Sequence, residues 1–244
     1  MIAWNDMRRG IFFLLLFSSL HAVQKISILI PCHYSHFYLL PELLTAYATQ
    51  TLLPDEVVIS LSEFDRVSPP DITALETRSW PFEVILLRHP SPYPAAQNRK
   101  FAAKASSGDL LLFQDADDLP HPKRVEIVKY IFEHNQIHHL VHSYVPQNGQ
   151  FPDYSSESMP LIRSTFDLLV EGIPSEGANI PLHHGHACMT RSVIASTHWK
   201  KDHEPGEDLH FNILAMRKFM GASYVTPLRL VLFRSDLSYF SNLR

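Results

Sequence analysis

Apolar residues follow two rhythms along this chain. Short unbroken runs, rich in β-branched residues, occupy Lys25–Ile30, Glu56–Leu61, Phe82–Leu87 and Leu110–Phe113. Runs without polar alternation predict strands buried on both faces. Between them the spacing changes to helical. Leu40, Leu43, Leu44 and Tyr47 recur at i, i+3, i+4, i+7, so Leu39–Gln50 reads as an amphipathic helix. Ala95–Ala105 is alanine-rich and helical, stopped by Ser106-Ser107-Gly108. Lys123–Asn135 carries Val125, Val128 and Phe132 on one stripe, with Pro122 suited to a first turn. His139–Tyr144 reads as a further strand. The first run stops at Pro31, where the chain is expected to leave the ladder.

Strand and helix alternate over residues 25–145, which predicts an α/β fold with a mostly parallel, doubly wound sheet. Such sheets bind ligands at the carboxyl ends of their strands. The second half is less regular. Phe151–Pro181 reads as long loops with one short helix near Ser164–Val170. Ala187–Thr190 predicts a strand leading into a helix at Ser192–Thr197. Asp208–Met220 predicts a helix closed by Gly221, and Arg229–Phe233 a last strand. No repeat or long linker interrupts residues 24–244, so they are read as one domain.

Composition narrows the class. The chain has 244 residues, 45% apolar, enough for one sizeable core. A net charge of −4 gives no footprint of nucleic-acid binding. Arg8 and Arg9 precede the apolar run Ile11–Leu20, and Ser18, Ser19 and Ala22 supply small residues. That pattern describes a secretory signal peptide over residues 1–23, or a short membrane anchor. It implies a secretory lumen, periplasm or extracellular location, with membrane association through this segment as the alternative. Cys32 and Cys188 either pair in an oxidising compartment or serve as small buried apolar residues; the second reading is favoured.

The chemistry concentrates after the fourth run. Asp115, Asp117 and Asp118 follow Leu110–Phe113 and Gln114, at the end of a buried strand. In extended chain Asp115 and Asp117 point to one side. Two converging carboxylates call for a hard cation with oxygen ligands, Mn²⁺ or Mg²⁺, which would bridge to a substrate diphosphate. The competing reading is an Asp-rich turn capping the next helix, the reading favoured for Asp118.

Asn98-Arg99, Ala102-Ala103, Ser107-Gly108-Asp109 and Phe113-Gln114-Asp115-Ala116-Asp117-Asp118 together resemble the donor half of family 2 glycosyltransferases of the GT-A fold. Ser27–Pro31 and Glu56–Ile59 resemble that domain's opening. The resemblance implies a nucleotide-diphosphate sugar donor and a glycan, protein or lipid acceptor. It places Asp115 on the ribose or sugar side of the donor and Asp117 on the metal. Pro31, Cys32 and His33 would face the nucleobase, and Asn98 and Arg99 would sit near the donor. The family usually carries acidic residues just after the second strand; here Glu63 is the candidate.

The same resemblance gives Glu207-Asp208 a role. Acidic residues at a helix start are favoured by the helix dipole alone. The family, however, places an E-D pair here with the Asp as general base. Asp208 would take the proton of an acceptor hydroxyl, with Glu207 beside the acceptor. A single base and in-line displacement imply inversion at the anomeric carbon.

His183-His184-Gly185-His186 allows three readings: metal binding, a hydrogen bond from His184 or His186 to an acceptor hydroxyl, or a plain loop. Arg234 is read as reaching the diphosphate or as a surface charge. No Gln-x-x-Arg-Trp motif is present, which points to non-processive transfer of one sugar. Two other readings compete. A nucleotidyltransferase would want a Gly-rich basic loop after the first strand, and Pro31–Ser35 has none. A degenerate glycan- or nucleotide-sugar-binding module would be expected to have lost one of the two acidic motifs.

Overall fold

The computed structural model describes residues 25–154, 184–199 and 206–237. The N-terminal segment read as a signal or anchor, and the short helix near Ser164–Val170, lie outside these residues. Among the described residues no helix is long and apolar enough to cross a membrane.

The first half is the expected alternation. Strand β1 (Ile26–His33) leads through a short 3₁₀ turn, Tyr34–Leu39, to α1 (Leu40–Ala48). Then come β2 (Glu56–Ser62), α2 (Pro69–Thr77), β3 (Glu83–His89), α3 (Ala95–Ala105) and β4 (Leu110–Phe113). The second half adds β5 (Leu119–Pro120), α4 (Arg124–His134), β6 (His139–Pro146), β7 (Ala187–Thr190), α5 (Arg191–Ser196), α6 (Glu207–Lys218) and β8 (Ser223–Phe233).

All eight strands form one sheet in the order β3-β2-β1-β4-β7-β6-β8-β5. Strands β3, β2, β1 and β4 are mutually parallel, as are β6 and β8. Strand β7 is antiparallel to both neighbours, and β5 to β8. The chain leaves β1 for β2 on one side, yet β4 joins β1 on the other. The crevice at the carboxyl ends of β1 and β4 is therefore a topological switch point, where open α/β sheets take their ligands.

Side-chain alternation along the parallel strands builds two cores. Ile28, Ile30, Val57, Ile59, Leu110 and Leu112 point to the face covered by α1 and α4. Leu29, Val58, Leu111 and Phe113 point to the other face, with Ala102, Ala103, Val193, Phe211 and Ala215 from α3, α5 and α6. The small residues of α3 let that helix lie close to the sheet. Cys32 and Cys188 are both buried and free, as favoured from sequence.

Three elements differ from expectation. Strand β1 runs through Pro31 to His33. Leu29 O still accepts from Gln114 N, 3.0 Å away, but β4 has ended by then. Pro31 faces that same side two residues later, so its missing N–H costs no ladder bond. Helix α2 was not foreseen, although Ser68 caps it and Pro69 opens it. Strand β8 begins at Ser223 instead of Arg229; its register against β6 shifts around His142–Tyr144, so the break absorbs Pro227.

Candidate active site

The acidic segment leaves the sheet at the switch point. Beyond Phe113 the chain does not stay extended. Asp118 N donates to Asp115 O at 3.3 Å, closing a turn over Asp115–Asp118. The carboxylates are therefore gathered by turn geometry, not by strand alternation.

Arg99, on α3 and only 6% exposed, organises the site. Its Nη2 donates to Asp115 Oδ1 at 2.7 Å, and its Nη1 donates to Glu207 Oε1 at 2.7 Å. Burial disfavours the Arg99 charge, but Asp115, Glu207 and Asp208 outweigh that cost and hold its pKa above its ordinary value. One guanidinium thus joins the acidic turn to the acidic start of α6, though they are far apart in the chain. Gly206, left-handed at φ 83°, turns the chain into α6. Asp208 follows Glu207 in the first turn, and its Oδ1 accepts from Leu209 N at 2.7 Å.

Burial, with Asp115 as a negative neighbour, pushes Asp117 up to about 6. Burial, then the charges of Asp115 and Asp117, push Asp118 up to about 8. Asp118 is 2% exposed and accepts from Arg234 N at 3.0 Å. Burial first, and then their mutual repulsion, disfavour full ionisation of these carboxylates. Among the described residues no three His, Cys, Asp or Glu side chains form a complete metal cage. Mg²⁺-type sites need none, since one or two carboxylates with substrate phosphates and water suffice. Clustered hard oxygens whose ionisation the protein alone disfavours fit such a cation, which would favour the ionised form.

Arg234, at the end of β8, is not a surface charge. Its side chain is 13% exposed. Its Nε donates to Asp117 O, and Nη1 donates to Glu42 Oε2 at 2.7 Å. Nη2 is buried beside the turn with no partner among the described residues.

The other predicted residues divide into two groups. His33 and Glu63 meet at the carboxyl ends of β1 and β2: Nε2 lies 2.7 Å from Oε2. Ser35 Oγ, 2.7 Å from His33 Nδ1, is placed to donate there, leaving Nε2 to donate to Glu63. Arg66, then His33, hold Glu63 below the usual carboxylate range, and the Arg66 guanidinium lies over the Tyr34 ring at 3.7 Å. Pro31 and Asn98, by contrast, are buried in the scaffold. Asn98 Oδ1 accepts from Ser60 Oγ at 3.0 Å and Nδ2 donates to Ser62 Oγ and Tyr93 O, so it ties α3 to β2.

His184 opens a short turn, His184–His186, leading into β7. Gly185 lies against Asp115: a Cβ there would stand 2.4 Å from Asp115 Oδ2. His186 is 1% exposed, with Nε2 3.9 Å from Asp118 Oδ2 and its ring between His142 and Tyr144. The structure thus sets His186 beneath the acidic turn.

Sequence reasoning missed the support under that turn. Arg124, fully buried, donates Nη2 to Phe113 O at 2.7 Å. Its Nη1 donates to Tyr47 Oη at 2.7 Å and Gln114 Oε1 at 3.0 Å, and its Nε donates to His142 Nε2 at 3.1 Å. Arg124 precedes Val128 and Ile131 by four and seven positions on the buried stripe of α4, which was the available signal.

Comparison with known proteins follows the same outline. The family described as Glycosyl transferase family 2 matches residues 27–199. A Haemophilus influenzae protein described as an uncharacterized glycosyltransferase is 34% identical over 110 residues, 45% of this chain and 35% of its own length. The chain therefore spans about a third of that relative. The crystal structure of S. aureus TarS 1-349 matches with TM-score 0.63 and 17% identity, over 87% of this chain and 61% of that one. Glucosyl-3-phosphoglycerate synthase from Mycobacterium tuberculosis, crystallised with Mn²⁺, UDP and glucosyl-3-phosphoglycerate, matches with TM-score 0.58 and 17% identity, over 92% and 76%. At such identities these two likenesses show a shared fold, the α/β arrangement expected of a GT-A domain.

Proposed function

The chain belongs to glycosyl transferase family 2, and from that premise we propose that it moves one sugar from a nucleotide-diphosphate donor to an acceptor hydroxyl, with inversion and with a divalent cation. The observation carrying this reading is the Arg99 bridge. It brings the donor-side turn, Asp115–Asp118, and the base-side helix start, Glu207-Asp208, to one guanidinium.

The parts then divide the chemistry. The crevice beyond β1 and β2 takes the nucleoside, with His33 and Glu63 as its polar groups. TarS has been crystallised with UDP-GlcNAc and the M. tuberculosis synthase with UDP, which makes uridine nucleotides the first donors to test. Asp117, with Asp115 beside it, would hold Mn²⁺ or Mg²⁺; bound there, the cation offsets charge growing on the leaving diphosphate. Asp208 takes the acceptor's proton as the new bond forms, and Glu207 fixes the helix start through Arg99. The N-terminal segment directs the chain to a secretory lumen, a periplasm or the cell exterior, or holds it at a membrane. The acceptor is a glycan, a protein or a lipid.

The test is release of nucleoside diphosphate from a panel of nucleotide sugars that includes UDP-GlcNAc, with Mn²⁺ and candidate acceptors. Release by the full chain beyond that by Asp208→Asn is expected. Donor binding without any release across the panel would instead favour a degenerate binding module, the alternative reading.

A further inference from the structure

Two arginines hold the acidic turn, and they hold different parts of it. Arg99 takes the Asp115 side chain. Arg234, the residue after β8, takes the far end. Its Nε donates to Asp117 O, and its backbone N donates to Asp118 Oδ1 at 3.0 Å. Its Nη1 donates to Glu42 Oε2 at 2.7 Å, so the guanidinium is tethered to the first turn of α1. Arg99 thus works from α3 on one face of the sheet, and Arg234 from beside α1 on the other.

The turn has little rigidity of its own. Its closing bond, Asp118 N to Asp115 O, is long at 3.3 Å. Gln114 Nε2 steadies the carbonyls of Asp115 and Asp118, at 3.0 and 3.2 Å. The Asp117 peptide lies between these anchors, and Arg234 holds its carbonyl. A carboxylate can point no more steadily than the backbone that carries it. Stability alone does not account for the placing of Arg234. Its Nη2 is buried without a partner among the described residues, which is costly for a charged donor. The ion pair with Glu42, whose side chain is 56% exposed, returns little of that cost.

We propose that Arg234 is a positioning residue of the cation site: through the Asp117 carbonyl it fixes the direction of the Asp117 carboxylate. This rests on the transferase reading, in which Asp117 holds Mn²⁺ or Mg²⁺. Groups that orient a metal ligand without touching the metal are commonly worth about 10–100-fold in metal affinity.

Lysine separates the bond from the charge. Where arginine has Nε, lysine has a methylene. Arg234→Lys therefore keeps the charge and most of the stem but loses the N–H that meets Asp117 O. Two measurements on the full chain test the proposal: Mn²⁺ binding, followed by the paramagnetic resonance of the free ion, and amide exchange at Asp118. Arg234→Lys and Arg234→Met should each weaken Mn²⁺ binding at least about tenfold. Exchange at Asp118 should quicken in both, while the β4 amides stay as in the parent. If Arg234→Met does not fold, the lysine variant decides alone. Parent-like affinity in Arg234→Lys overturns the proposal, because charge would then suffice. Unchanged exchange at Asp118 overturns it too, since the turn would keep its shape without the bond. So does faster exchange throughout β4, the mark of a general loosening. A parent chain that takes up no Mn²⁺ would instead remove the cation from the transferase reading, and this inference with it.

Discussion

Asp115 and Glu207 share one guanidinium: Arg99 meets each of them at 2.7 Å, through separate nitrogens. The arrangement is only partly buried on the acid side, since Asp115 and Glu207 are 29% and 22% exposed, but Arg99 itself is not free to leave. Remove it and two carboxylates, with Asp208 close by, face each other without a counter-charge. Arg99→Ala should cost about 3 kcal/mol in chemical denaturation and abolish measurable transfer. Arg99→Lys is the sharper probe. A single ammonium cannot reproduce the fork that reaches both acids, so transfer should fall even if the fold survives. Full activity in Arg99→Lys would show that the bridge does not align the two motifs.

Much of this bridge could be read from the chain before any coordinates. Asp115, Asp117, Glu207 and Asp208 each stand at the end of a strongly patterned element, and local pattern locates such ends well. Arg99 was expected near the donor only through the family resemblance; its link to Glu207 depends on how α3 and α6 meet, which local pattern does not record. The Asp turn was misjudged in geometry for a related reason: alternation describes a strand, and the strand had ended at Phe113. Strand β8 was cut short because Pro227 looks like a terminator, while the bulge that accommodates it depends on β6. Arg124 was passed over because a charged residue on an apolar stripe is usually discounted.

Asp208→Asn is expected to lower turnover by about 10²–10⁴-fold while leaving donor affinity, read by thermal shift, close to that of the parent. The amide keeps the shape and the hydrogen bond from Leu209 N, and loses only the ability to take a proton. Glu207→Gln should behave differently. It weakens the hold of Arg99 on the start of α6, so activity should drop less and stability more. Undiminished turnover in Asp208→Asn would remove the base assignment and leave the rest of the site standing.

Gly185 offers a test that touches no charge. A methyl group there would lie 2.4 Å from Asp115 Oδ2 and 2.8 Å from its Cγ, too close for any real contact. The carboxylate must then swing away from Arg99, or the His184–His186 turn must lift. Gly185→Ala should reduce transfer by roughly tenfold to a hundredfold, since small displacements of a positioning group carry costs of that order. Donor binding should weaken in parallel, because Asp115 belongs to the donor side. Unchanged donor affinity would mean that Asp115 does not hold the donor.

Asp118 makes the pH dependence of stability diagnostic. Its carboxyl titrates near 8 in the folded chain, because it is buried and then because Asp115 and Asp117 are negative. Unfolded, it titrates near the ordinary Asp value of about 3.9. Between those limits the folded state binds the proton more tightly, so this group destabilises the fold increasingly as pH rises from about 4 to 8. His139 works the other way. Burial between α6 and β8 lowers it to about 4, so it costs stability as pH falls from about 6.5 toward 4. Asp118→Asn separates the two. The amide oxygen can still accept from Arg234 N, and no charge remains to bury. Without added metal, the variant's advantage over the parent should grow from pH 5 to pH 8, at up to about 1.4 kcal/mol per unit, measured by urea denaturation. The acid-side loss attributed to His139 should persist in both proteins. A variant whose disadvantage grew with pH would mean that the Asp118 charge is stabilised in the fold, and that the acidic turn has a cationic partner beyond Arg99 and Arg234.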